Sequence, residues 1–178
     1  MGNEYLIVID MQNDFVTGAL GTPEAAAIVK PLTAHADAFD GTVAFTLDTH
    51  DASYAETQEG RNLPVPYCLR GTPGWELVAP LAAVRERRGA PVFEKPTFGS
   101  PALADWLVAE HARQPIDRIE FCGVCTDICV VSNALIVKAA LPEVPVSVDA
   151  RLCAGVTPAA HEAALATMAS CQVEVRGR

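Results

Sequence analysis

Positive charge is scarce in this sequence. Its 178 residues carry 13 Lys and Arg against 22 Asp and Glu, a formal net charge of -9. Phosphate backbones are bound by clustered Lys and Arg, and the one such cluster, Arg85-Glu86-Arg87-Arg88, reads as a solvated helix end. Nucleic acid is therefore not an expected partner. Long apolar runs are lacking too: nothing approaches the roughly 18 residues that a membrane helix needs. The opening MGNEYLIVIDMQND has no basic region before its apolar run, meets Asp10 too early for a signal peptide, and lacks the Ser or Thr at position six of a myristoylation signal. These absences give the expectation of a soluble cytoplasmic protein with no membrane partner. No internal repeat, low-complexity tract or interdomain linker interrupts the chain. Its six cysteines would suggest a disulfide framework only in a short secreted chain, so most are expected to be reduced.

What the chain does have is apolar material punctuated by turns. Half of its residues are hydrophobic, enough for one sizeable core, and a length prior of about 150 residues per domain favours a single domain. Residues 1–178 are read as that domain. Short β-branched runs stand at 5–10, 42–48, 91–95, 118–124, 144–150 and 172–176. Helix-length segments lie between them. Residues 23–39 are Ala-rich, with Pro31 placed to kink or split the helix. Ser100 with Pro101, and Thr157 with Pro158, each pair an N-cap with a first-turn proline. Near-continuous apolar strands alternating with helices predict an α/β fold whose parallel sheet is covered on both faces. The stretch 49–74, rich in Gly, Pro and Thr, exceeds ordinary connections and is read as a functional loop.

In open α/β sheets ligands collect beyond the carboxyl ends of the strands. There the runs end in Asp10, in Asp48 with His50 just beyond, in Lys95, and in the cysteine stretch FCGVCTDIC. One polar residue at a strand end is ordinary; this set together suggests chemistry. The cysteines separate by position. Cys122 falls inside a strand, where a small apolar residue packs, and Cys125 falls in the turn. Thr126 and Asp127 offer N-cap oxygens to a helix reaching Pro142, so Cys129 lies in its first turn. The helix dipole and free N–H groups there favour a thiolate, which makes Cys129 the nucleophile candidate. Cys68, Cys153 and Cys171 default to packing. A thiolate attacking a carbonyl needs a base, a cation and oxyanion donors. Asp10, Lys95 and the turn from Cys125 to Cys129 could supply them.

With VIDMQNDF at 8–15, TLDTH at 46–50, RGTPGWEL at 70–77, EKPTFG at 94–99 and GVCTDICV at 123–130, the chain resembles the isochorismatase-like superfamily of cysteine hydrolases, and its nicotinamidase branch in particular. The resemblance covers essentially the whole domain. It implies a three-layer αβα Rossmann-like fold with a six-stranded parallel sheet, a homo-oligomer, and an Asp10–Lys95–Cys129 triad. The implied reaction cleaves a small nicotinamide-like amide through a thioester, releasing ammonia and an acid. It also implies a cis peptide before Cys125, so that the backbone N–H groups of Cys125 and Cys129 form the oxyanion hole. Phe15, Trp75 and Phe98 are candidates to stack on a planar substrate. Two other readings stand beside it: a family hydrolase of a carbamoyl compound or vinyl ether, and a silent thiol scaffold that exchanges disulfides.

The resemblance further implies a divalent, zinc-like ion held by Asp48 and His50. Relatives add a His before the glycine turn, and here that place holds Tyr67, a poor ligand at neutral pH. Glu59 is placed to replace it. The expectation is a weak or vacant site built from Asp48, His50 and Glu59, with Tyr67 at its edge.

Overall fold

Strands that are apolar on both faces must be covered twice, and the chain meets that demand by alternating strand and helix. The computed structural model describes residues 2–178. In order, they form β1 (Glu4–Ile9), α1 (Asn13–Val16), α2 (Pro23–Ala38), β2 (Thr42–Asp48), α3 (Gln58–Asn62), α4 (Ala79–Arg88) and β3 (Val92–Lys95). There follow α5 (Pro101–Arg113), β4 (Arg118–Val124), α6 (Val131–Ala140), β5 (Val146–Ala154), α7 (Pro158–Ser170) and β6 (Glu174–Arg176). A 3-10 turn at Tyr54–Glu56 precedes α3, and a π-helical turn at Thr126–Val130 runs into α6.

All six strands are parallel in the order β3-β2-β1-β4-β5-β6. The expected six-stranded parallel α/β sheet is what forms. Its strand order turns back between β1 and β4, a topological switch point at which the carboxyl ends part to leave a crevice. β1 is the spine: Leu6, Ile7, Val8 and Ile9 are all fully buried in one continuous hydrophobic cluster. β4 can lie against it only because residue 123 is glycine. Gly123 has φ +112°, and a Cβ there would meet the Ile9 carbonyl oxygen at 2.1 Å.

The expected caps form: Ser100 and Thr157 accept from the N–H groups of Leu103 and Ala160, and Thr22 caps α2 in the same way through Ala25. Pro31 neither splits nor ends α2. Its missing N–H frees the Ala27 carbonyl, but Ala27 and Pro31 are both exposed, so that oxygen is open to water. The stretch 49–74 is more structured than its composition suggests. Thr57 caps α3, Tyr54 donates its hydroxyl to the Leu63 carbonyl at 2.8 Å, and Cys68 N–H is held by Asp14 Oδ2 at 2.8 Å. All six cysteines are free. Cys171 does not pack as expected: it is exposed at the end of α7, where the chain turns outward toward the edge strand β6. Among the described residues, no helix is long and apolar enough to cross a membrane.

Candidate active site

Four strand ends converge at the switch point. Asp10 sits one residue beyond β1 in the left-handed region, at φ 47°, which Asp tolerates better than most residues. β2 ends in Asp48, β3 ends in Lys95, and the turn after β4 carries Cys129. Lys95 is the hub. Its Nζ lies 2.6 Å from Asp10 Oδ2 and 3.4 Å from Asp48 Oδ2, and donates to Cys129 Sγ at 3.5 Å. All four side chains are buried. Thr46 Oγ1 donates to Asp10 Oδ1 at 2.6 Å and accepts the Asp10 N–H at 3.2 Å, which fixes the carboxylate toward the lysine.

Burial alone would push the Lys95 ammonium down, but the carboxylates of Asp10 and Asp48 outweigh it and hold the group above its ordinary value. Burial, joined by Asp10, pushes the Cys129 thiol well up, with Lys95 opposing. At Cys129 burial thus favours the thiol form over the thiolate. The helix-terminus argument from sequence favoured a thiolate; it omitted burial beside a carboxylate, which acts in the opposite direction. The turn itself also differs. It is π-helical and its N-cap is Cys125, without a side-chain cap. Thr126 Oγ1 instead pairs with His161 Nδ1 at 2.8 Å, and Asp127 Oδ1 accepts the Val156 N–H at 2.9 Å. The two residues expected to cap the helix thus tie the turn to α7 and to the segment that joins β5 to it.

The peptide bond Val124–Cys125 is cis. The Cys125 carbonyl accepts the Ile128 and Val130 N–H groups at 3.1 and 3.0 Å. Among the described residues, no acceptor outside the turn takes the N–H of Cys125 or of Cys129. Above the thiol opens a cavity of about 700 Å³, with Phe15 and Phe98 on its wall. Trp75, expected to stack on substrate, is not part of that wall. Its indole N–H is spent on Thr49 Oγ1 at 2.8 Å, and the Arg70 guanidinium lies 5.9 Å from its ring centre.

The residues expected to hold a metal ion do meet. His50 Nε2 and Asp48 Oδ1 are buried without hydrogen-bond partners and lie 3.3 Å apart, and Glu59 Oε1 lies 3.8 Å from the same Nε2. Donors sharing one tetrahedral ion at about 2.1 Å stand about 3.4 Å apart, so this set fits a divalent cation. Burial lowers His50 and keeps its imidazole in the ligand form; burial also pushes Asp48 up to about 7. Tyr67 lies at the edge as expected, its hydroxyl donating to Glu59 Oε1 and its ring centre 4.8 Å from that of His50. That bond competes for one of the three ligands. Asp10, Asp48 and Cys129 also bring ligand-type atoms within 4.8 Å of one another, but the Lys95 ammonium already fills the place a cation would take.

Sequence reasoning missed the residues that hold the centre in register. Gln12 accepts the Asp48 N–H at 2.8 Å and donates to the carbonyls of Asp48 and Trp75 at 2.8 and 2.7 Å. Asn133 accepts the Ser100 N–H at 2.9 Å and donates to the carbonyls of Cys129 at 2.8 Å and Phe98 at 3.1 Å, joining β3's loop to the nucleophile turn. Gln12 lay inside a quoted motif and could have been flagged. Asn133 had no local signal, since a polar residue in the middle of a helix reads as surface.

Fold and centre together define an α/β protein built around a buried aspartate–lysine–cysteine cluster at a sheet switch point. The chain belongs to the isochorismatase family, whose domain matches residues 4–178. It is 30% identical over 140 residues to PncA of Bacillus subtilis, described as an uncharacterized isochorismatase family protein, covering 73% of this chain and 75% of that one. Among solved structures it resembles the B. subtilis nicotinamidase/pyrazinamidase PncA, with TM-score 0.82 and 28% identity over 97% of this chain and 98% of that one. It also resembles the Pyrococcus horikoshii pyrazinamidase in complex with zinc, with TM-score 0.78 and 26% identity over 97% and 98% of the two chains.

Proposed function

We propose that this protein is a cysteine amidohydrolase that cleaves a nicotinamide-like carboxamide. The observation that carries the reading is the Lys95 ammonium, 2.6 Å from Asp10 and 3.5 Å from Cys129 Sγ, beneath a cavity open to a small molecule. Its relatives named as nicotinamidases or pyrazinamidases support the substrate class.

The sequence of steps follows from which atoms can reach which. A carboxylate oxygen of Asp10 and Cys129 Sγ lie within 4.8 Å of each other, so as sulfur approaches the amide carbon its proton passes to that carboxylate. Lys95 compensates the negative charge left on sulfur. The carbonyl oxygen becomes an oxyanion between the N–H groups of Cys125 and Cys129; removing one such donor typically costs about 10²–10³ in rate. Asp10 returns its proton to nitrogen, the C–N bond breaks, and ammonia leaves a thioester on Cys129. Water, deprotonated by Asp10, then attacks the thioester, and the carboxylic acid departs as the thiol is restored. A divalent ion held by Asp48, His50 and Glu59 would supply a Lewis acid at the cavity wall. The reading extends to a homo-oligomer working in the cytoplasm.

Ammonia release from nicotinamide tests the proposal. Wild-type protein should produce ammonia and nicotinate in equal amounts, and Cys129→Ala should lose activity by on the order of 10⁴-fold or more while keeping its circular dichroism spectrum. Near-normal turnover by Cys129→Ala would refute it. Cys122→Ala and Cys125→Ala should stay measurably active.

A further inference from the structure

The cavity above Cys129 is larger than a one-ring carboxamide needs. At about 30 Å³ for each water-sized group, its 700 Å³ corresponds to roughly two dozen such groups, and a single ring with its amide fills less than half. Cavities of about 300–1,000 Å³ accept drug-sized molecules. One side of the wall is apolar. From Cys129 it runs past Ile128 and Phe15 to a rim of Leu63, Phe98 and Val156, which are 36%, 44% and 50% exposed. Among the described residues, the other exposed large hydrophobic side chains are Val65 and Val108, so three of five stand around this one opening. Single exposed apolar residues need no explanation, whereas a contiguous rim around a cavity marks a binding surface.

Charge narrows the ligand further. Asp48 and Glu59 are on the wall, and among the described residues no Lys, Arg or His lines it. The nearest ammonium, Lys95, is occupied by Asp10 and Asp48. In the metal-free protein a substrate carboxylate would be desolvated there beside Asp48 and Glu59, with no side-chain cation to pair with.

The geometry points to a neutral amide whose acyl part extends beyond a single ring as an apolar group, lying along Phe15 and Ile128 and emerging between Leu63, Phe98 and Val156. This rests on the amidase reading above and names its substrate class. Binding energy from that remote apolar part would serve the chemical step by holding the carbonyl against Cys129.

A series of para-alkylbenzamides, from benzamide to the para-hexyl compound, with para-carboxybenzamide as the anionic member, tests it by ammonia release. kcat/KM should rise about fourfold for each buried methylene, and the carboxylate compound should fall at least about tenfold below benzamide. Leu63→Ser and Val156→Ser should flatten the rise. If benzamide is hydrolysed but kcat/KM is level or falls with chain length, the extended-substrate inference fails and the amidase reading survives; a second copy of the chain covering the rim would give that result. If no amide yields ammonia, the amidase reading fails, and calorimetric binding of the same series to Cys129→Ala decides the groove alone. A Kd that tightens about fourfold per methylene upholds the groove, and a Kd independent of length overturns it.

Discussion

Two clusters of buried charge sit on the same sheet, and they are built to opposite ends. At the carboxyl ends of the central strands, Lys95 faces Asp10, Asp48 and Cys129, with all four side chains buried. Toward the β6 edge, under α2, Glu120 meets His35 Nε2 at 2.6 Å and Arg176 Nη1 at 3.4 Å. Glu120 is buried but both its partners reach solvent, their side chains 36% and 29% exposed. In the second cluster one acid is met by a guanidinium and an imidazole that both reach water. The first has more acidic groups than cations, and leaves Asp48 Oδ1 and His50 Nε2 without hydrogen bonds beside the cavity. Burial of charge is common to both. Function is marked by the unmet valence that faces a space a ligand can enter.

Breaking the central cluster should have the larger effects. Asp10→Asn keeps the shape but removes the proton acceptor and the principal partner of Lys95. Turnover should drop by at least ~10², the low end for a positioned acid–base group. Removing one member of a buried ion pair should also cost about 3–5 kcal/mol in stability. Lys95→Met should match the loss of rate with at least as large a loss of stability, because it leaves Asp10 and Asp48 buried together without a cation, whereas Asp10→Asn leaves Lys95 still facing Asp48. Activity assays alongside urea unfolding separate the two. A rate loss under threefold in both variants would make the pair structural only.

The approach of β4 to β1, which aims the nucleophile turn at Asp10, should depend on one missing side chain. Gly123→Ala places a Cβ 2.1 Å from the Ile9 oxygen at a φ of +112°. A destabilisation of at least about 2 kcal/mol is expected, with activity falling further than the folded fraction accounts for. Denaturant midpoints and ammonia assays on the same samples measure both. An unchanged midpoint would show that the two strands have room to separate.

These residues were not equally legible in the sequence. The alternation of apolar runs and capped helices gave the sheet and its crossovers, because strand burial and N-caps are written in local residue choice. Asp10, Asp48 and Lys95 could be found because strand ends in a parallel sheet are functional positions wherever the strands lie. Cys129 was found by position but its protonation state was not, since burial is a property of the assembled cavity. Trp75 was misplaced for a related reason: an aromatic near a site can face the substrate or brace a loop, and its bond to Thr49 is set by tertiary contact. Asn133 and the pairing of Thr126 with His161 join elements far apart in the chain. Local spacing carries no trace of such contacts.

The metal position sharpens the comparison with a smaller effect. If Glu59 is shared between a cation and the Tyr67 hydroxyl, protein purified without chelator should hold less than one equivalent of metal after dialysis, measured by elemental analysis. Tyr67→His supplies an imidazole in place of a phenol that burial keeps protonated. It should raise zinc affinity by at least about tenfold, the low end for altering a ligand's surroundings. A full equivalent surviving dialysis of the wild type would show that the site is not weakened.

The smallest effect is expected at the outer cluster, where the comparison can fail most informatively. Glu120→Gln keeps the volume and a hydrogen-bonding oxygen for His35, and it strands no cation, because His35 and Arg176 both reach water and Arg176 also pairs with Glu174 at 2.6 Å. Half-exposed ion pairs contribute about 0–1 kcal/mol. Stability should therefore fall by no more than about 1 kcal/mol, and kcat/KM should stay within about twofold of wild type, since nothing in this cluster touches the cavity. A tenfold loss of kcat/KM with an intact fold would mean that the β6 edge communicates with Cys129. The most direct physical route would be through β4, which carries Glu120 near its start and the nucleophile turn at its end.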